Sequence, residues 1–99
     1  MSTEIKDKAG NPVGVLDGSG TVYDKHRSPK GAAKSGVVSD HSGRTVGSYD
    51  TIGEIKEGTT VVGYVKSGKV TGRIQGKLGS VSGPNPEAAG AALYFLFEQ

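Results

Sequence analysis

The sequence TVVGYVKSGKVTG, residues 60–72, contains the step that is repeated along the chain: an apolar residue followed by glycine, here Val62-Gly63. The step returns at a nearly constant interval, with Lys30 replacing the apolar residue once. The glycines are spaced by 17, 16, 16 and 16 residues, at Gly14, Gly31, Gly47, Gly63 and Gly79. A period of this length over most of the chain indicates a repeat architecture.

Cutting the chain at these glycines gives four complete units and one incomplete unit: 14–30, 31–46, 47–62, 63–78 and 79–83. In the complete units an apolar residue stands two positions after the glycine, and a turn, a β-branched residue and a second turn follow. Short alternating segments between Gly, Asp and Ser are typical of strands joined by tight turns. The residues one before and two after the glycine have opposite parity on a straight strand, so the glycine is expected at a β-bulge.

The N-terminal residues 3–13 supply the half unit that is missing after Gly79. EIKDKAGNPVG, residues 4–14, matches EIKEGTTVVG, residues 54–63, apart from one extra residue in the turn. Pairing 79–83 with 3–13 would close the strands into a ring and remove exposed sheet edges. The sequence therefore predicts one all-β domain, a closed ring of five hairpin units of about 16 residues. Four-fold closure is the alternative.

Residues 84–99 depart from the repeat and form an apolar C-terminal segment. Asn85-Pro86-Glu87 is typical of a helix start. The following run AAGAALYFLF, residues 88–97, is continuous, so both a short helix and a strand fit it, and we favour the helix. It is too short to span a bilayer. We expect it to plug the ring or to dock on a neighbouring copy, with structural roles for Leu93, Phe95, Phe97 and the five periodic glycines.

Three stretches carry a resemblance to a known family: GYVKSGKVTG at 63–72, GSVSG at 79–83 and AALYFLF at 91–97. Together they resemble the β-flower proteins, and the five-fold form more closely than the four-fold one. The resemblance covers nearly the whole chain. It implies the fold and no catalytic residue, because the family has no settled activity. Two features depart from perfect symmetry: KHRSP at 25–29 interrupts the first unit, and Ala32-Ala33 replaces a larger pair.

Composition argues against several classes of function. The net charge of +2 is too small for a strong nucleic-acid footprint. The chain has no cysteine and two histidines, so we expect no disulfide, no metal centre and no cofactor. The N-terminal residues do not resemble a secretory signal, and a cytoplasmic location is the default expectation.

Four aspartates each precede a glycine by three residues: Asp7, Asp17, Asp40 and Asp50. Calcium loops place several oxygen ligands at alternating positions, which none of these segments does. Aspartate can instead bond backbone N–H groups of its own turn. We therefore interpret the four residues as turn-forming.

The densest positive cluster combines Lys25, His26, Arg27 and Lys30 with Tyr23 beside it. It is the candidate binding site, for a polyanion or an acidic partner, and a solvated loop is the alternative. His26 and His41 have no nucleophile motif nearby, so no catalytic residue is predicted and an enzyme is not expected.

Two hypotheses of function follow. The first is a non-enzymatic structural or protein-interaction module that binds an unknown protein or associates with itself. The alternative is a small-ligand or glycan-binding module, in which Tyr23, Tyr49 and Tyr64 stack on a substrate. A binder should expose these tyrosines on one rim, whereas a structural module should bury them.

Overall fold

A computed structural model describes residues 2–97, and in it ten antiparallel strands close into a barrel. Each strand pairs with its neighbour in the chain, and β1 pairs with β10 from Glu4 opposite Ser82 to Asp7 opposite Gly79. The five-fold ring and its closure by the N-terminal strand are thereby confirmed. The strands are β1 Thr3–Asp7, β2 Pro12–Leu16, β3 Thr21–Asp24, β4 Pro29–Lys34, β5 Val37–Asp40, β6 Thr45–Tyr49, β7 Glu54–Glu57, β8 Thr60–Lys66, β9 Lys69–Gly72 and β10 Gly76–Ser82.

A bulge precedes each periodic glycine. In the first hairpin Ile5 pairs with Gly14 but Lys6 pairs with Pro12, which leaves Val13 as the extra residue. The other hairpins repeat this irregularity, with extra residues Lys30, Val46, Val62 and Leu78. The expected bulge is therefore present in all five units. It turns the glycine and the residue two positions later towards the same, inner side of the barrel.

Two rings of side chains face the interior. The first ring lies opposite the periodic glycines and is completely buried: Ile5, Val22, Val38, Ile55 and Val70. The second ring stands two residues after the glycines: Leu16, Ala33, Tyr49, Val65 and Val81. Only Tyr49 of these ten residues is half-buried rather than buried, and it packs against the rest of the core.

The C-terminal segment lies in the interior that these rings surround. It forms helix α1 (Pro86–Ala92), which continues as a π-helical turn (Leu93–Phe97). Helix α1 contacts strands around the barrel, among them β1, β4, β6 and β8. The prediction of a helix is confirmed, and the segment plugs its own barrel. Asn85 precedes the helix without a side-chain cap hydrogen bond, and its backbone N–H donates to Thr3 Oγ1 (3.1 Å).

Side chains of this plug occupy the space beside four of the periodic glycines. A methyl group at Gly47 would overlap the ring of Phe95, and one at Gly14 would press on Phe97. The same relation joins Gly31 to Leu96 and Gly79 to Leu93. At Gly47 the ring of Phe95 is therefore what requires glycine, whereas at Gly14, Gly31 and Gly79 a backbone carbonyl of the neighbouring strand lies closer still than the plug.

The first unit is one residue longer than the next unit because of its first turn, Asp17 to Gly20, and not because of KHRSP at residues 25–29. KHRSP was interpreted as an interruption, but residues 24–28 form the same turn as residues 7–11 and 40–44: the first residue's N–H donates to the carbonyl of the fifth. The extra residue lies in the turn of Asp17 to Gly20, where the next unit has a two-residue turn at Ser35 and Gly36. The interpretation of KHRSP as an interruption was wrong. Residues 24–28 form the regular turn, but Arg27 occupies the position at which the equivalent turns have Gly10 and Gly43.

Candidate functional site

Three of the predicted binding residues come together in a cleft of about 650 Å³ on the outside of the barrel. Tyr23, Lys25 and Arg27 line it, whereas His26 is exposed beside it and Lys30 is half-buried at the bulge of β4. We call this feature the β1–β3 cleft. Its lining residues are Ser2, Glu4, Pro12, Gly14, Val15, Asp17, Tyr23, Asp24, Lys25 and Arg27.

The strand register explains the floor of the β1–β3 cleft. Glu4, Val15 and Tyr23 are directly opposite one another on β1, β2 and β3. Their neighbours in sequence, such as Ile5 and Val22, point inwards and are completely buried. Because side chains alternate along a strand, the row from Glu4 to Tyr23 must face outwards. The floor is thus an aromatic ring and a valine next to a carboxylate.

The turn between β3 and β4 places Arg27 at the cleft. The carboxylate of Asp24 accepts hydrogen bonds from the N–H groups of His26 (2.8 Å) and Ser28 (3.0 Å), and the Arg27 N–H donates to the Asp24 carbonyl (3.0 Å). Arg27 adopts a left-handed conformation with φ of 65°. The equivalent turns have glycine there, Gly10 with φ of 89° and Gly43 with φ of 91°. Arg27 is therefore a side chain at a backbone position that suits glycine.

Hydrogen bonds within their turns lower the pKa values of Asp17, Asp24 and Asp40. The Ser28 N–H is the main cause that lowers the pKa of Asp24, and the hydroxyl of Ser19 does the same for the pKa of Asp17. The Ser42 hydroxyl lowers the pKa of Asp40. All four aspartates interpreted as turn-forming bond the N–H two residues on: Asp7, Asp17, Asp40 and Asp50. That interpretation is confirmed, and Asp24 is a fifth example.

The cations of the β1–β3 cleft keep their charges available. Among residues 2–97 the ion pairs are Lys6 with Glu4 (3.4 Å) and Lys56 with Asp50 and Glu54, and none of them includes Lys25 or Arg27. The two cations lie at one end of the cleft, in the β3–β4 turn, while Asp17 belongs to the turn at the opposite end of β3. One end of the cleft therefore combines two cations with the carboxylate of Asp24, and the rest carries the carboxylates of Glu4 and Asp17.

The three tyrosines considered for stacking do not form one rim. Tyr23 is half-buried in the β1–β3 cleft, and Tyr49 packs against the core. Tyr64 is 46% exposed and lies in a second, shallower groove of about 500 Å³. We call this groove the Tyr64 surface; it is lined by Tyr64, Lys66, Ser67, Lys69 and Thr71. Tyr23 and Tyr64 thus mark two separate outer sites.

The histidines and the metal-ligating side chains of residues 2–97 do not form a site together. His26 and His41 lie in different turns and are both exposed. Residues 2–97 contain no group of three or more His, Cys, Asp or Glu side chains placed to hold a metal ion. No helix within that range has the length and apolar character to cross a membrane.

Comparison with known proteins agrees with the geometry. The family model described as the 5-fold beta-flower protein matches residues 1–98. The chain belongs to the five-fold β-flower family. No curated protein and no solved structure matched it. In this β-flower protein, the five bulged hairpins are the five-fold repeat, and the plug of residues 86–97 lies within them.

Sequence reasoning missed several residues of the β1–β3 cleft, chiefly Glu4, Val15 and Asp17. The internal repeat could have indicated Glu4, because it aligns with Glu54, which is opposite Tyr64 in another unit. It could have indicated Asp24 too, since Asp7, Asp24 and Asp40 follow the same spacing of 17 and 16 residues as the glycines. The aspartate spacing is hard to recognise at Asp24 because Arg27 replaces the glycine that marks the other turns.

Proposed function

We propose that this β-flower protein is a non-enzymatic protein-interaction module and that the β1–β3 cleft receives a segment of a partner polypeptide. The observation that carries the proposal is Arg27, which holds a left-handed backbone conformation and lines the cleft. Left-handed backbone costs an L-residue about 1 to 2 kcal/mol. Strain of this kind is a reason to look for function where it occurs.

The barrel interior is already filled by the protein's own plug, which favours binding on the outside. Residues 88–93 are buried against the strands, and Phe95 lies against Gly47. The strands also form a closed sheet, so a partner cannot add a strand to an edge. Recognition on the outer face must therefore use side chains.

The lining of the β1–β3 cleft suits a peptide. The Tyr23 ring, Val15 and Pro12 offer an apolar surface, and Lys25 and Arg27 offer two cations at one end. Tyrosine and arginine are enriched at the energetically dominant positions of protein interfaces. We expect the preferred segment to place an aromatic or aliphatic side chain on the floor and an acidic side chain beside the two cations.

The carboxylates of the cleft support a binding role over an acid-base role. Hydrogen bonds lower the pKa of Asp17 and of Asp24, so both are ionised at neutral pH. A catalytic acid instead needs a pKa raised towards the working pH. Asp17 and Asp24 hold their turns, and Glu4 pairs with Lys6 (3.4 Å), which leaves the cations to select the partner.

The test uses peptide display followed by calorimetry. A random peptide library is panned on the full chain, and enriched peptides are synthesised and titrated against variants. Arg27→Gly removes the side chain but keeps the turn, and Tyr23→Ser introduces the residue that the next unit has at the equivalent position, Ser39. Each variant should weaken binding about tenfold, equivalent to about 1.4 kcal/mol. Lys8→Ala, in the equivalent turn between β1 and β2, is the control and should bind like the parent chain.

Three results would overturn the proposal, two from the peptides and one from the control variant. One is that no peptide is enriched over a plate without protein. Another is that enriched peptides bind Arg27→Gly and Tyr23→Ser as tightly as the parent chain, which would place their site elsewhere. A loss of binding shared equally by Lys8→Ala would show unspecific attraction to positive charge and would also contradict the proposal.

A further inference from the structure

The Tyr64 surface contains two lysines that folding does not explain. Lys66 and Lys69 are directly opposite each other on β8 and β9, on either side of the turn Ser67-Gly68. Directly opposed side chains have Cβ atoms about 5 Å apart, and like charges in that arrangement are destabilising. None of the ion pairs among residues 2–97 relieves either lysine. The pair therefore holds a concentrated positive charge at the surface.

Tyr64 is unusual among its equivalents. It follows the periodic glycine Gly63, and the residues at that position in the other units are small or aliphatic: Val15, Ala32, Ser48 and Ser80. Tyr64 is 46% exposed, and Thr71, which carries a hydroxyl, is directly opposite on β9. An exposed aromatic face between a hydroxyl and two cations is a combination that the other units do not repeat.

Neighbouring residues define how far the positive charge extends. Lys77 on β10 is opposite Thr71, which adds a third cation on that side of the ring. Glu54 on β7 is opposite Tyr64 and limits the charge on the other side. The groove is thus a short, one-sided positive patch around one ring. A nucleic-acid strand needs a track of cations along its backbone, which this arrangement lacks.

We infer that the Tyr64 surface binds an anionic sugar unit, a uronic acid or sulfated pyranose within an oligosaccharide. The flat Tyr64 ring receives the apolar face of the sugar, Thr71 is placed to hydrogen-bond a sugar hydroxyl, and Lys66 and Lys69 attract its carboxylate or sulfate. A groove of about 500 Å³ open to solvent suits a unit within a longer chain. This site is on different strands from the β1–β3 cleft and does not depend on its function.

The experiment is a titration of the full chain with a heparin-derived tetrasaccharide at low salt, followed by calorimetry and by NMR of the backbone amides. Tyr64→Ser introduces the residue present at the equivalent positions 48 and 80. Lys69→Val introduces the residue found at Val37, which faces Lys34 across the matching Ser-Gly turn. Both should weaken binding at least tenfold. Lys34→Ala, in that matching turn, is the control and should bind unchanged.

Further probes separate the sugar from other ligands. Maltotetraose, which is neutral, should bind at least tenfold more weakly than the heparin-derived tetrasaccharide. An oligonucleotide of four thymidines should also bind more weakly. The inference fails if the parent chain does not bind the tetrasaccharide, or if Tyr64→Ser and Lys69→Val bind it as the parent does. It also fails if maltotetraose binds equally well or the oligonucleotide binds more tightly. Thermal melting of each variant shows whether a loss of binding reflects loss of the fold.

Discussion

At the scale of single residues, glycine has two structural roles in this protein: it adopts left-handed backbone conformations, and it leaves space where another group approaches closely. At the turns it supplies left-handed backbone, as at Gly43, whose missing side chain would point into open space. At the bulges it makes room for the plug, as at Gly47 beside Phe95. Gly90 of helix α1 is a further example of the second role, because a methyl group there would overlap Val65. Substitutions at turn glycines and at bulge glycines therefore test different forces.

Gly47→Ala should lower the free energy of unfolding by about 1 to 3 kcal/mol, the usual cost of overpacking. Adding Phe95→Leu removes the ring that the new methyl group meets. The double variant should therefore lose less stability than the sum of the two single variants. Urea unfolding of the four proteins measures this coupling. Strict additivity would mean that Phe95 is not what excludes a side chain at position 47.

Arg27→Gly should stabilise the protein. It relieves about 1 to 2 kcal/mol of left-handed strain, and the greater freedom of glycine in the unfolded chain takes back about 0.4 to 1 kcal/mol. A net gain of up to about 1.6 kcal/mol corresponds to a melting temperature several degrees higher for a domain of this size. Lys25→Ala, in the same turn, should leave the melting temperature unchanged. A lower melting temperature for Arg27→Gly would mean that the arginine side chain supports the fold.

At the scale of the elements, one turn design recurs at both ends of the barrel. In each case Oδ1 of an aspartate accepts the N–H groups two and four residues on, at Asp7, Asp17, Asp24, Asp40 and Asp50. The turns also connect neighbouring hairpins. The carbonyl of Gly20 accepts the Ala33 N–H (2.8 Å), and that of Gly68 accepts the Val81 N–H (2.7 Å). Turn chemistry thus holds the units beside one another.

These turns predict how stability depends on pH. The pKa values of Asp17, Asp24 and Asp40 are lowered in the folded state by their hydrogen bonds, first among them those from the Ser19 hydroxyl, the Ser28 N–H and the Ser42 hydroxyl. A lowered folded pKa adds stability that is complete above the unfolded pKa of about 3.9 and is lost as the pH falls towards the folded pKa. We expect the stability contributed by these three aspartates to stay constant between pH 7 and 5 and to decline below about pH 4.

Melting temperatures recorded from pH 7 to 2 test this expectation. A triple variant with Asn at positions 17, 24 and 40 keeps a side-chain oxygen that can accept the same N–H groups but cannot be protonated in this range. It should show a smaller loss of stability below pH 4 than the parent chain. An equal loss in both proteins would mean that the lowered pKa values of Asp17, Asp24 and Asp40 are not what makes stability fall in acid.

At the scale of the whole molecule, the plug and the barrel are one core. The inward residues of the strands are mostly Val, Ile, Leu and Ala, and the larger rings of Tyr94 and Phe95 come from the plug. These two rings meet edge to face with centroids 4.9 Å apart. At the end of the barrel near the β9–β10 turn, Gln75 Nε2 donates to the Tyr94 hydroxyl (3.3 Å). The strands alone would surround an unfilled space.

Deletion of residues 86–99 should leave a chain that is unfolded or aggregates. Burying five large apolar side chains contributes on the order of 8 to 15 kcal/mol as an upper estimate, comparable with the whole stability of a small domain. Size-exclusion chromatography and thermal melting provide the measurement. Leu93→Ala is the milder comparison and should fold with a loss of about 2 to 5 kcal/mol. A soluble deletion variant with an unchanged melting temperature would rule out this role of the plug.

Features that depend on nearby residues or on repetition could be predicted from the sequence alone. The glycine spacing indicated five units, the parity change around Gly14 and its equivalents indicated the bulges, and residues 4–14 indicated how the ring closes. The aspartate turns could be predicted as well, because their hydrogen bonds run only from residue i to i+2 and i+4. All of these are local or periodic constraints, and a single sequence displays them directly.

Tertiary structure alone decided where the apolar segment lies and what stands on the outer face. Residues 93–97 could have packed on a ring or on another molecule; they lie inside the barrel, with side chains beside Gly14, Gly31, Gly47 and Gly79, up to 83 positions away in the chain. The β1–β3 cleft likewise combines Glu4, Val15 and Tyr23 with turns at opposite ends of β3. The opposed Lys66 and Lys69 also acquire their meaning from the strand register. Such relations depend on closure of the barrel and on which strands become neighbours, and these are properties of the folded chain.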